Sequence, residues 1–160
     1  MLKNPINRSE HIKRLSQEHH FSLLFCWKVR QGLKTNVAGE RIRKYVQYFW
    51  QQHLQPHFQV EEKILFAPIK NRQIQRARNE HKYIRQEIED LPNYPENKER
   101  KTLAKIADMV DEHVRYEERE LFPYLEGKLS EEQLEKIGRL IQKHHSSLQD
   151  KYEDQFWNIK

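Results

Sequence analysis

Apolar residues recur along this chain at spacings of three and four, the period of a helix with one buried face. In a first stretch, Ile12, Leu15, Ser22, Cys26, Val29 and Leu33 keep that spacing, and His19 fills the gap. In a second, Ile42, Val46, Phe49, Val60 and Ile64 mark the stripe, with His53 and His57 on it. In a third, Ile74, Ala77, Ile84, Ile88 and Leu91 bracket His81, and in a fourth Leu103, Ile106 and Val110 run into His113, Glu117 and Leu121. Capping and breaking residues set the limits. Asn7 and Glu10 have capping-box spacing and start the first helix near Ser9, to run to about Leu33. The second opens near residues 38–40 and runs to about Ala67, where Pro68 stops it; Pro56 should kink it beside His57. The third runs from Asn71 to about Leu91, and the fourth from Pro95 to about Phe122, closed by Pro123 and Gly127. Ser130 and Gln133 form a second capping box and open a fifth helical segment over about 130–157. The prediction is one all-α domain over 1–160: an up-down-up-down four-helix bundle, core about 9–126, with an additional C-terminal helix.

Composition narrows the class further. Only 36% of residues are hydrophobic, 33% are charged and four are Gly, which disfavours sandwiches and barrels and favours long helices. No apolar run is long enough to cross a bilayer and no signal peptide opens the chain, so no membrane association is expected. The single cysteine, Cys26, permits neither an internal disulfide nor a thiolate metal site, and points to a reducing cytoplasm. A net charge of +5 is ordinary for solubility, and the basic run of Arg76, Arg78, Arg85, Lys98, Arg100, Lys101 and Lys105 reads as a solvated face. No DNA-binding motif accompanies it.

The nine histidines carry more information. His19, His57, His81 and His113 each lie ten residues from the helix end predicted to meet the other three, on the buried stripe. At about 1.5 Å rise per residue the four imidazoles share one layer about 15 Å into the bundle. Two of them head HxxxE pairs, His57 with Glu61 and His113 with Glu117, which place nitrogen and carboxylate on one helix face. Residues 57–66 read HFQVEEKILF and residues 113–122 read HVRYEERELF, while Glu18-His19 recurs as Glu80-His81. The order EH…HxxxEE therefore occurs twice, an internal duplication of a two-helix unit. Buried carboxylates at Glu61 and Glu117 need partners. Four imidazoles and two bridging carboxylates offer eight donor atoms, four to each of two metals. A bridging oxide or hydroxide would make five and leave one position open. Such nitrogen–oxygen ligation suits Fe, Mn, Zn or Ni, and spacing does not choose among them.

The order H…HxxxE…H…HxxxE on four consecutive helices, with EHH at 18–20, HFQVEEKILF at 57–66, EH at 80–81 and HVRYEERELFP at 113–123, resembles the hemerythrin-like (HHE cation-binding) family over roughly residues 9–126. The resemblance implies a four-helix bundle with a non-haem di-iron centre. Its ligands would be His19, His57, Glu61, His81, His113 and Glu117, with Glu61 and Glu117 bridging. It departs from the oxygen-carrying members, which have an HxxxH pair on the third helix, because Ala77 and Arg85 flank His81 here. His53 is the candidate for a fifth nitrogen, ahead of His20. Four-histidine members are linked with responses to O2, NO, peroxide or iron, which makes a small diatomic ligand or peroxide the expected partner.

Other features read more plainly. Glu62 and Glu118 are expected to be solvated, with supporting contacts to the site as the alternative. His144 and His145, among Leu134, Ile137, Ile141 and Leu148, are expected at the surface or in packing. Trp27, Trp50 and Trp157 are expected in the core or in helix packing, and Cys26 as a small buried hydrophobe. No Ser-His-Asp arrangement or exposed thiol suggests a nucleophilic enzyme. A di-iron oxidase is the enzymatic alternative, but its Glu-x-x-His motif is missing at all nine histidines. A metal-binding regulatory or interaction protein is the third reading.

Overall fold

The computed structural model describes residues 7–144 and 149–158. Among these there are five helices and no strand. Helix α1 is Lys13–Lys34. Helix α2 spans 39–65, with α-helical parts Gly39–Phe49 and Gln55–Val60 and π-helical turns at Trp50–Leu54 and Glu61–Leu65. Helix α3 is Arg72–Asp90. Helix α4 spans 96–128, passing from Glu96–Tyr116 through a π turn at Glu117–Leu121 into Phe122–Lys128. Helix α5 is Glu131–Lys143.

Local chemistry explains most of the ends. The Asn71 side chain caps α3 by accepting from the Ile74 N–H at 2.9 Å. Ser130 and Gln133 form the expected capping box on α5; such caps contribute about 1 kcal/mol each. After α1 the chain turns through Asn36 at φ 58°, a left-handed conformation that asparagine tolerates.

Four expectations need correction. The Asn7–Glu10 box does not form, and α1 starts at Lys13 with no side-chain cap. The entering chain is held elsewhere: the Ser9 N–H donates to Glu126, and Arg8 bonds acidic groups of α4. Pro123 does not end the fourth helix. The π turn just before it shifts the hydrogen-bond register, and Pro123 becomes the second residue of a restarted α-helical segment, where its missing N–H is tolerated. Pro56 stands the same way after the turn at Trp50–Leu54, so the predicted irregularity takes the form of a π turn. The fifth helix stops at Lys143 instead of reaching about 157. Residues 149–158 are not helical, and they bury Phe156 and Trp157 against Tyr45. Trp27 is 50% exposed because it lies beside the α1 stripe, whereas Trp50 and Trp157 are buried as expected. His145 and Leu148 lie outside the described residues.

The C-terminal stretch is held by charge as well as by apolar contact. Lys28 is only 6% exposed, pairs with Asp150 at 3.0 Å and stands 4.2 Å from the Trp157 ring. The Tyr45 hydroxyl donates to the same carboxylate. Glycine is required at 32, since a Cβ there would fall 2.7 Å from the Phe156 ring.

Two apolar clusters fill the interior, one around Phe25, Tyr45, Phe49, Ile84 and Ile106, the other around Leu15, Leu65, Ala77, Leu121 and Phe122. Each of the first four helices contributes to both. On α1 the order is Leu15, His19, Phe25; on α2, Phe58, Glu61, Leu65; on α3, Ala77, His81, Ile84; on α4, Val110, His113, Leu121. A polar histidine–glutamate layer is thus closed by hydrocarbon on both sides. Among the described residues no helix is long and apolar enough to cross a membrane.

Candidate metal centre

All six residues expected in the layer meet there, each at most 4% exposed. They fall into two groups of four whose donor atoms lie within 4.8 Å of one another: His19, His57, Glu61 and Glu117, and Glu61, His81, His113 and Glu117. Both carboxylates belong to both groups. Glu61 Oε2 lies 3.2 Å from His57 Nε2 and 3.7 Å from His19 Nε2, and its Oε1 lies 3.1 Å from His81 Nε2. Glu117 Oε1 lies 3.0 Å from His19 Nε2 and 3.1 Å from His113 Nε2. His81 and His113 face each other through Nε2 at 3.0 Å.

Both carboxylates begin a π turn. The carbonyl of Glu61 accepts from Phe66 N–H and that of Glu117 from Phe122 N–H, five residues on in each case. A π turn widens the helix locally, and such turns often occur at functional sites. Here they coincide with the duplicated HxxxEE motifs.

Outside the layer, every imidazole turns its Nδ1 to a second glutamate. His19 Nδ1 meets Glu118 at 2.7 Å, His57 meets Glu18 at 2.9 Å, His81 meets Glu62 at 3.3 Å and His113 meets Glu80 at 2.8 Å. An outer carboxylate accepting from Nδ1–H aims the Nε2 lone pair inward, as carboxylate–histidine–metal arrangements require. Glu62 and Glu118, expected to be solvated, therefore support the site, and so do Glu18 and Glu80, which the sequence marks only as part of the repeated Glu-His dipeptide. A signal was available: each of the four recurs at the equivalent place of the duplication.

His53 is not in the cluster. The π turn at Trp50–Leu54 separates it in register from His57, and its ring packs 5.1 Å from Phe49 and 5.9 Å from Tyr48. Burial holds its pKa below the ordinary value. His20 is exposed, and so is His144. Cys26 is buried, and burial pushes its thiol up to about 12, which makes it a packing residue.

The donor set fits a metal on an observation of its own. His57 Nε2, both oxygens of Glu61 and Glu117 Oε2 are buried without an aligned hydrogen-bond partner. Buried polar atoms are rarely left this way, and here the four converge on one place. The charges fit as well. Burial opposes a charged ring, but Glu61 and the bond to Glu18 raise His57 to about 9. Burial is likewise outweighed at His113, which Glu117 and Glu80 raise to about 10, and at His19. Burial also works against the Glu61 carboxylate, yet the surrounding rings hold it well below the usual range. Without metal, the layer balances itself with protons.

This sets opposite pH dependences for the two forms. A histidine whose folded pKa is raised stabilises the fold below its unfolded value of about 6.5, and that stability disappears as pH rises through the folded values. The depressed carboxylates stabilise above about 4.5 and lose this as pH falls. Metal-free protein is expected to melt highest between about pH 4.5 and 6.5 and progressively lower towards about pH 10. Metal must displace the Nε2 protons, so metal affinity is expected to increase over that same alkaline interval. Melting curves in chelator, paired with metal titrations across pH, check both signs.

The sequence model of the Hemerythrin HHE cation binding domain matches residues 10–125 and, a second time, residues 73–149. The second match opens where the second half of the duplication does. No curated protein and no solved structure matches the chain significantly. With most of its length covered by that match and a buried histidine–glutamate cluster suited to a cation, the chain belongs to the hemerythrin HHE cation-binding family.

Proposed function

We propose that this layer holds two iron ions, the first between His19 and His57 and the second between His81 and His113, with Glu61 and Glu117 shared, and that the centre binds or responds to O2, NO or peroxide. The observation that carries the reading is the pair of four-residue groups with both carboxylates in common. Bound iron would supply one-electron redox chemistry and a coordination position for a small ligand. The protein's part is to position, to neutralise and to exclude. Four outer glutamates orient the rings, two inner ones place negative charge between the ion positions, and the apolar clusters keep bulk water away. The passage of successive helices from one cluster to the other supports an up-down-up-down four-helix arrangement. A reducing cytoplasm suits a chain whose one thiol is buried.

The test of the ligand reading is to load purified protein with Fe(II) without oxygen and to add NO, O2 and peroxide separately. A change in the visible and near-ultraviolet spectrum with at least one of them is expected. No change with any of the three would leave a purely structural metal site.

A further inference from the structure

The duplication extends outward from the layer, and there its two halves differ in where one arginine comes from. In the second half Arg78 lies three residues before His81 on α3. Its Nη2 donates to the Glu62 carbonyl at 3.1 Å, and its guanidinium stands 5.8 Å from the Phe66 ring. Phe66 in turn stacks on His81 at 6.0 Å, and the Glu62 carboxylate holds His81 Nδ1. The equivalent residue in the first half, three before His19, is Ser16, too short for this reach. Arg8, which precedes α1, occupies the vacant role. Its Nη2 donates to the Glu118 carbonyl at 2.8 Å, and its guanidinium stands 5.4 Å from Phe122. Phe122 stacks on His19 at 5.2 Å, and Glu118 holds His19 Nδ1. Arg8 Nε donates to the Ser16 hydroxyl at 3.1 Å, so the small residue at 16 also receives the arginine that replaces it.

We propose that Arg8 is a positioning residue for the His19 side of the centre, supplied by the segment ahead of α1 where the other half uses its own helix. This rests on the two-metal reading above. Arg8 is built in: its side chain is 5% exposed, and it also bonds Glu118 Oε2 at 2.7 Å and pairs with Glu126. Glu118 is thus held between an imidazole and a guanidinium, and that fixes the carboxylate plane against which the His19 ring is set. The grip on His81 comes with α3 itself, whereas the grip on His19 depends on the docking of residues 7–12. The two metal positions are therefore chemically alike but independently tunable.

Calorimetric titration of the full chain with Zn(II), which is redox-silent, tests this. Wild type should bind in two steps. Arg8→Ala should weaken, by about tenfold or more, the one step that His19→Ala removes, and leave the other unchanged. Adding Ser16→Arg to Arg8→Ala should restore that step by returning the guanidinium to the helix, as Arg78 has it. Arg8→Lys, which keeps the charge without the fork, should weaken the same step less, and it carries the test if Arg8→Ala does not fold. Unchanged steps, equal weakening of both, or no recovery with Ser16→Arg would overturn the proposal. Absence of any Zn(II) binding by wild type would instead overturn the two-metal reading on which it rests.

Discussion

Replacing Glu61 with Gln is expected to bring bound metal well below two ions per chain and to destabilise the metal-free protein at the same time. Glu61 is fully buried, and its two oxygens face the Nε2 atoms of His19, His57 and His81 at 3.1 to 3.7 Å. Because it belongs to both four-residue groups, its loss should weaken metal binding at each of them. Glutamine conserves volume and shape, so packing cannot account for the effect. In the metal-free protein near neutral pH, the substitution takes one of the two inner anions from the layer, the one beside the protonated His57 and His19 rings. Breaking a buried charge pair from one side typically costs about 3–5 kcal/mol. Denaturant unfolding in chelator measures that loss, and metal analysis after saturation measures the other. Unchanged stoichiometry would remove Glu61 from the site.

The second large effect lies at the far end of the molecule. Asp150→Ala strips the buried Lys28 ammonium of its carboxylate and the Tyr45 hydroxyl of its acceptor. A loss of about 3–5 kcal/mol is expected by the same reasoning, reduced to the extent that residues 149–158 lift away and admit water to Lys28. Lifting would uncover Trp157 and shift its emission to the red. The double replacement Lys28→Met with Asp150→Leu removes both charges and should recover most of the stability, since a well-packed apolar pair often matches a buried ion pair. Metal stoichiometry should be unaffected by either change.

The two ends also show what periodicity can and cannot convey. The layer of six residues was legible because each helix carries its histidine on an apolar stripe, and the duplicated HxxxEE fixes two glutamates to the same face. Periodicity does not settle the role of the four outer carboxylates, because an exposed and a supporting glutamate look alike in a charged helix. Only the closing of Nδ1–carboxylate distances below about 3.5 Å separates them. His53 stands apart from the cluster for a different reason: stripe position assumes uninterrupted α geometry, and the π turn at Trp50–Leu54 breaks it. The same kind of turn carried α4 through Pro123, a residue that otherwise marks a helix end. Arg8 was invisible because its partner Glu118 is 110 residues away, and no local pattern records that contact. The C-terminal stretch carried a helix-like apolar spacing, but Phe156 and Trp157 are buried against the other end of the bundle without a helix to deliver them.

Whether one layer holds two ions through shared carboxylates is decided by the iron content of the reconstituted chain together with its magnetic behaviour. Two irons per chain are expected, with a ferric form that is antiferromagnetically coupled and silent in conventional electron paramagnetic resonance. One iron per chain with the isolated high-spin ferric signal, or no bound iron, would contradict a shared two-ion layer.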